Sequence, residues 1–299
     1  MNPQLRFWGV RGSFPASLPA CRSLGGNTSC VQLEWQGQTP ILDAGTGIRR
    51  LGQAYLESPP KGPLHLLISH PHWDHIQGFP FFAPAHRREF ELHIHSLKRP
   101  VSMRRLLADQ QQATFFSTSL EELEGRLSFH DHPEGDLLQI GPFEVQLYQV
   151  NHPGICTGFR IRMGDCVLAY LSDVAPVSEH LLADHLPDHV SLASAGQLLW
   201  ENQLHLMQDA DFVIYDTFFT PEQYEQRSHW GHSTPEQGIA ACRAARAHSM
   251  FFFHHNAELS DDFQVQRLQR LQLQHDLPMA LAREGDASPL KAGGLVPCA

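Results

Sequence analysis

Apolar residues along this chain come in short runs, most of them closed by a Gly, Pro, Asn or Asp turn. Runs of four to eight residues rich in β-branched and aromatic side chains predict strands. They fall at Leu5–Val10, Cys30–Trp35, Ile41-Leu42, Leu64–Ser69, Phe90–His95, Phe143–Gln149, Gly158–Arg162, Cys166–Ser172, Phe212–Tyr215 and Ser249–Phe253. Longer stretches with helical spacing predict helices near Ile48–Tyr55, Val101–Gln111, Gln197–Met207 and Pro235–His248. The last carries a start signal: Thr234 can cap it, Pro235 suits its first turn, and Gln237 completes a capping box. Strands and helices alternate through both halves without a break in composition, which predicts one α/β domain over residues 1–285. The segment 175–209 reads as an insertion serving as a lid, a dimer contact or a substrate filter. Residues 286–299, with Pro289, Gly293, Gly294 and Pro297, read as a loosely ordered tail.

Charge and composition narrow the chemistry. The net charge is −10, with 22 Lys and Arg against 32 Asp and Glu. A protein that grips long RNA or DNA presents a basic stripe to the phosphates, and none is visible here. No apolar run approaches the ~18 residues that span a bilayer, and the N-terminus lacks a signal-peptide pattern, so a cytoplasmic protein without membrane contact is expected. Six scattered cysteines with no C-x-x-C pair argue against a thiolate metal site. Histidine is in excess, at 20 residues, and its placement decides what it is for.

His70-Pro71-His72-Trp73-Asp74-His75 puts four candidate ligands into six residues. In an extended segment His70 and His72 point the same way and can share one ion. If a helix follows, Asp74 and His75 point to a second position. Imidazole and carboxylate donors suit zinc, and equally manganese or iron.

This motif resembles the signature of the metallo-β-lactamase superfamily. The resemblance implies a four-layer αββα sandwich, with metals at the edge between two sheets. It also implies an order of further ligands, and three strand ends supply it: His152 after Val150, Asp173 after Leu171-Ser172, and His254 after Phe253. On this reading His70, His72 and His152 hold one cation, Asp74, His75 and His254 a second, and Asp173 bridges them. His255 competes with His254, which is preferred because it directly follows the strand. Two cations about 3.5–4 Å apart share and acidify a water.

Within the superfamily the chain resembles the phosphodiesterases related to tRNase Z and phosphoribosyl cyclic phosphodiesterase. The residues that carry this are Phe7–Ser13, Gly25–Cys30, Asp43-Ala44-Gly45-Thr46-Gly47, Tyr215-Asp216-Thr217-Phe218, Gly231-His232-Ser233-Thr234 and His75–Phe82. The resemblance implies a small cyclic phosphodiester, a cyclic nucleotide or cyclic ribose phosphate, attacked by metal-bound hydroxide. Asp74, His232 and Asp216 are the catalytic candidates, with His232 as general acid and Asp216 orienting it. Arg11, Asn27 and Thr28 are candidates for contacting the phosphate, and a homodimer is a family-based expectation. The alternatives are a thioester or lactam hydrolase, a tRNA 3′-processing endonuclease, and a non-enzymatic metal-stabilised sensor module. The missing basic arm and the negative charge weigh against tRNA.

Overall fold

The computed structural model describes residues 2–177, 181 and 191–295. Two seven-stranded sheets face each other. The first runs in the order β16-β1-β3-β4-β5-β6-β7 and the second β15-β13-β12-β11-β10-β9-β8. In the first sheet β1 is Gln4–Gly9, β3 Cys30–Glu34, β4 Pro40–Leu42, β5 Leu64–Leu67, β6 Glu91–Leu97, β7 Arg126–His132 and β16 Ala287–Pro289. In the second β8 is Leu137–Ile140, β9 Phe143–Val150, β10 Cys156–Met163, β11 Cys166–Leu171, β12 Phe212–Asp216, β13 Met250–Phe253 and β15 Met279–Leu281. A two-residue pair, β2 (Arg11-Gly12) with β14 (His255-Asn256), joins the sheets beside the site.

Strand alternation builds the layers, because successive side chains face opposite sides. Phe7, Leu33, Leu42 and Leu67 of the first sheet meet Leu147, Phe159, Tyr170 and Phe253 of the second in a central core. The outer face of the first sheet, with Ile41, Leu66 and Ile94, packs under helices Ile48–Glu57 and Met103–Gln110. The outer face of the second, with Ala169, Val213, Tyr215 and Phe252, packs under Leu192–Met207, Pro235–Ala244 and Asp261–Gln274. The result is the four-layer αββα sandwich. Thr234 caps the 235–244 helix through Gln237 as its capping box requires. Among the described residues no helix is long and apolar enough to cross a membrane.

Three expectations change. The chain beyond Glu284 is not loose throughout, because Ala287–Pro289 pairs antiparallel with β1 as an edge strand. Residues 178–180 and 182–190 of the 175–209 insertion lie outside the described residues; its C-terminal part is the 192–207 helix, which covers β9 and β10. Strand β7 escapes a hydrophobic reading because its inward positions are His130 and His132.

Those two belong to a histidine ladder on β5, β6 and β7. His132 Nδ1 donates to Asp136 (2.8 Å), His132 Nε2 meets His95 Nδ1 (3.0 Å), and His95 Nε2 meets His65 Nδ1 (3.1 Å). Beside this chain, His130 Nε2 meets His93 Nδ1 (2.9 Å), and His93 Nε2 donates to Glu91 (3.0 Å). In each nitrogen-to-nitrogen pair the ring planes agree within 25° and the centroids lie 5.2–5.3 Å apart. The rings therefore meet edge to edge, nitrogen aimed at nitrogen, as in hydrogen-bonded imidazole chains rather than ligands converging on an ion.

Such chains require neutral rings. Burial, reinforced by the neighbouring imidazoles, pushes His95 down to about 2 and His65 down to about 4. Both folded values lie below the ordinary value near 6.5, so the unfolded chain takes up protons first. This stability is complete above pH 6.5 and declines as pH falls below it. For His95 alone the loss between pH 6.5 and 5 is about 2 kcal/mol. The melting temperature should therefore fall between pH 7.5 and 5, and fall less steeply in His95→Gln; equal slopes for the two proteins would refute the assignment.

Candidate metal centre

The strand ends of both sheets deliver the histidines and aspartates to one place. Ser69–Ile76 leaves β5, with Trp73–Ile76 forming a single helical turn. His152 follows β9, Asp173 follows β11, Asp216 ends β12, and His254 follows β13. Among the described residues four overlapping groups of potential ligand atoms result: His232 joins two of them, with His152 and Asp173 and with Asp216 and His254, and two exclude it. His70, His72 and His152 form one, and Asp74, His75, Asp173 and His254 the other, each with its donor atoms within 4.8 Å of one another.

Asp173 stands between them. Its Oδ2 lies 3.9 Å from His70 Nε2 and 3.8 Å from His152 Nε2. Its Oδ1 lies 2.9 Å from His75 Nε2 and 3.4 Å from His254 Nε2. Asp74 Oδ2 is 3.2 Å from His75 Nε2 and 3.0 Å from His254 Nε2. In the first group His152 Nε2 and His72 Nδ1 are 3.1 Å apart. Two nitrogens bound tetrahedrally to one zinc at ~2.0–2.1 Å would be roughly 3.3 Å apart.

The donor set fits divalent cations on a further observation. His70 Nε2, His75 Nε2 and Asp173 Oδ1 are buried and accept or donate no hydrogen bond. His75 Nε2 is close to two carboxylates yet aligned with neither, as expected for atoms aimed at a shared point between them. Leaving such groups unpaired is costly unless an ion satisfies them.

Electrostatics prepares the donors. Burial pushes His70 well down and His152 down to about 3, so both stay neutral, as metal ligands must. Burial opposes charge on Asp173, but the imidazoles of His254 and His75 hold it well below the carboxylate range. Asp74 is held low by His75 and His254 in the same way. His75 is raised, because Asp173, Asp74 and Asp43 together outweigh its burial.

A second layer fixes the ring orientations. His75 Nδ1 donates to Asp43 Oδ2 (2.8 Å), and His152 Nδ1 donates to the Gly231 carbonyl (2.7 Å). Asp43 also receives the Ser69 amide (2.7 Å), the Ser69 hydroxyl (3.0 Å) and the Tyr170 hydroxyl (2.8 Å). A ring nitrogen anchored this way leaves the other free to face a metal. In the sequence nothing assigns a role to Asp43, Ser69 or Tyr170; a carboxylate at a strand end in a Gly-rich turn is the only signal there.

The backbone around the centre is held tightly. Asp43, Ser13 and His254 adopt positive φ of 60°, 64° and 58°, three of six such non-glycine residues among those described. Strain of this kind gathers at functional sites. A Cβ on Gly12 would fall 2.3 Å from the His254 ring, so only glycine permits that approach. The next residue, Ser13, donates its N–H to Asp74 Oδ2 (2.7 Å).

His254 faces the centre, whereas His255 turns away and contacts the Ala282 carbonyl through Nε2 (2.9 Å). His232 lies beside both groups, with its ring centroid 5.4 Å from that of His152 and 5.0 Å from that of His254. Its Nδ1 donates to Asp216 Oδ2 (2.8 Å), and Phe218 stacks on its face. Asp216 is fully buried, accepts the amides of Val174 and Phe218, and is raised mainly by burial.

The three phosphate-contact candidates are corrected. Arg11 is 0% exposed and is spent on Asp261 and on the carbonyls of Gly25 and Cys21. Asn27 is tied to Glu284 (2.9 Å). Thr28 is buried, and its hydroxyl accepts from the Thr46 amide and the Gln77 side chain. Arg11 and Thr28 are buried and brace the N-terminal loops, and Asn27 is half-buried beside them.

A family model described as a beta-lactamase superfamily domain matches residues 40–255. Ribonuclease Z of Haloferax volcanii is 21% identical over 295 residues, covering 88% of this chain and 87% of its own length. Two solved structures share the fold at low identity. The metallo-β-lactamase fold protein YhfI of Bacillus subtilis is 18% identical with a TM-score of 0.66, over 96% of this chain and 99% of that one. A diphosphatase of the PhnP family is 15% identical with a TM-score of 0.65, over 97% and 98%.

Proposed function

The chain belongs to the beta-lactamase superfamily, and from that premise we propose that it is a dinuclear metal-dependent phosphodiesterase acting on a small cyclic phosphodiester. The observation that carries the reading is Asp173, whose two oxygens address separate groups of imidazole and carboxylate donors. His70, His72 and His152 would hold one cation, and Asp74, His75 and His254 the other. The paired cations, zinc or another first-row metal, supply water activation near neutral pH and charge neutralisation at the reacting phosphorus.

The chain's own groups do the rest. Asp74, as ligand and catalytic carboxylate, is aimed by the Ser13 amide. Asp216 fixes the His232 ring through Nδ1, which leaves Nε2 to carry a proton to the departing oxygen. Phe218, stacked on that ring, keeps water from one of its faces.

Phosphodiester chemistry is supported by the paired Asp216–His232, which acyl hydrolysis does not require, and by the relative named ribonuclease Z. A net charge of −10 favours a small substrate over a polynucleotide. The test is a panel for the metal-loaded protein: cyclic mononucleotides and cyclic ribose phosphate, a thioester, and precursor tRNA. Turnover of a cyclic phosphodiester alone is expected. Thioester cleavage without phosphodiester cleavage would establish the acyl reading instead, and cleavage of precursor tRNA the ribonuclease reading.

A further inference from the structure

Three residues of one short segment touch the His232 ring. Asp216 Oδ2 accepts from its Nδ1 (2.8 Å), Phe218 stacks on its face with the centroids 4.6 Å apart, and Phe219 meets it steeply at 5.8 Å. A carboxylate and two rings leave the imidazole one orientation. Whatever fixes residues 216–219 therefore fixes where its Nε2 points.

Part of that fixing is local. The Thr217 amide and hydroxyl both donate to the Phe253 carbonyl (3.1 and 3.0 Å), and the Phe219 amide donates to the Ser233 carbonyl (3.0 Å). The carbonyls of Thr217 and Phe219, on either side of Phe218, need other partners. One side chain from a distant element takes both: Arg267 donates Nη2 to Thr217 (2.8 Å) and Nη1 to Phe219 (2.9 Å).

This contact suits a guanidinium. Arg267 is 3% exposed, and burial pushes it down to about 10. A buried cation is costly, so this one does more than fill space. An apolar side chain would cover Phe252 and Phe263, whose rings lie 6.0 and 5.9 Å from it, without any such penalty. Gln264 Oε1 accepts from Nη2 as well (2.6 Å) and steadies the group. The planar fork aims two N–H groups at two acceptors at once, a geometry that an ammonium does not reproduce. Arg267 sits on the Asp261–Gln274 helix, beyond the residues 40–255 that match the family model.

We propose that Arg267 is a positioning residue for the proton transfer assigned to His232, clamping the two carbonyls that flank Phe218 and so holding in place the carboxylate and the ring that aim the imidazole. This rests on the phosphodiesterase reading and deepens it, because it adds a helix outside the matched region to the machinery of the same site.

The metal-loaded full chain is compared with Arg267→Met and Arg267→Lys on two kinds of substrate. Adenosine 2′,3′-cyclic phosphate and cyclic ribose phosphate release alkoxides that need a proton, whereas bis-(p-nitrophenyl) phosphate releases a group that needs none. Arg267→Met should lower kcat on the cyclic phosphodiesters by about 10- to 100-fold, part of the roughly 10²–10⁴ that a general acid contributes. Metal content should be unchanged, and the nitrophenyl ester should lose less than about threefold. Arg267→Lys should fall in between. Adding Arg267→Met to His232→Ala should lower turnover no further, because the arginine acts only through that ring. Crystals of Arg267→Met should show Phe218 displaced from the His232 face. Equal losses on both kinds of substrate, a further loss in the double variant, or an unmoved Phe218 overturns the proposal. If the methionine variant does not fold, the lysine variant is read by the same criteria. Should the unaltered protein cleave no phosphodiester, the phosphodiesterase reading falls, and the crystallographic comparison still decides whether Arg267 places His232.

Discussion

Asp173→Ala should strip the protein of bound cation and lower turnover by at least about a thousandfold. Its carboxylate reaches both donor clusters, within 2.9–3.9 Å of five imidazole nitrogens, those of His70, His75, His152, His232 and His254. Without it the first cluster keeps three histidines and the second keeps Asp74, His75 and His254, with no charge between them. A Lewis-acid centre contributes several kcal/mol to transition-state stabilisation, and each 1.36 kcal/mol is tenfold in rate. Elemental analysis after gel filtration, alongside phosphodiester kinetics, checks this. A variant that retains full metal and more than a tenth of the activity would show that Asp173 does not join the two positions.

His232→Ala should behave differently, losing about 10²–10⁴ in turnover while metal content stays the same. The ring lies outside the two main donor groups and is held by Asp216 at 2.8 Å. Its removal therefore takes away a proton carrier and leaves the proposed ligand sets intact. A substrate whose leaving group needs no proton, such as a p-nitrophenyl ester of phosphate, should be affected far less than an alkyl one. Equal losses on both substrates would make His232 a structural residue. A parallel drop in bound metal would make it a ligand, a role its membership in a group with His152 and Asp173 makes worth separating.

The grouping of these side chains is legible in the sequence because each candidate ligand follows a strand that the hydrophobic pattern marks. Val150, Leu171 and Phe253 end apolar runs, and the next one or two residues are His152, Asp173 and His254. The His254 and His255 pair shows the limit of that rule. Only the short β2–β14 pairing, which places His255 opposite Arg11, decides which ring turns inward. The N-terminal loops misled for a related reason. Arg11, Asn27 and Thr28 look like phosphate contacts in a Gly-rich stretch, but their partners Asp261, Glu284 and Thr46 lie up to 257 residues away in the chain. Asp43 is not legible as a site residue because it bonds His75, and a carboxylate that touches another side chain leaves no spacing pattern.

The fold shows the same division. Most strands with aliphatic inward positions are legible, but the short β8 and β15 are not, despite buried Ile140 and Leu281, and β7 is not, because imidazoles occupy the positions where Leu or Val would announce it. The Asp261–Gln274 helix was missed because its buried face includes Gln264 and Arg267. The arginine there donates to the Phe219 and Thr217 carbonyls (2.9 and 2.8 Å). Polar residues that are buried because they are hydrogen-bonded cannot be told from surface residues until the partner is known.

Anomalous scattering from crystals of the metal-loaded protein tests the paired centre most directly. Two peaks are expected about 3.5–4 Å apart, one among His70, His72 and His152 and the other among Asp74, His75 and His254, with the Asp173 carboxylate between them. A single peak, or two peaks with Asp173 bound to neither, would contradict it.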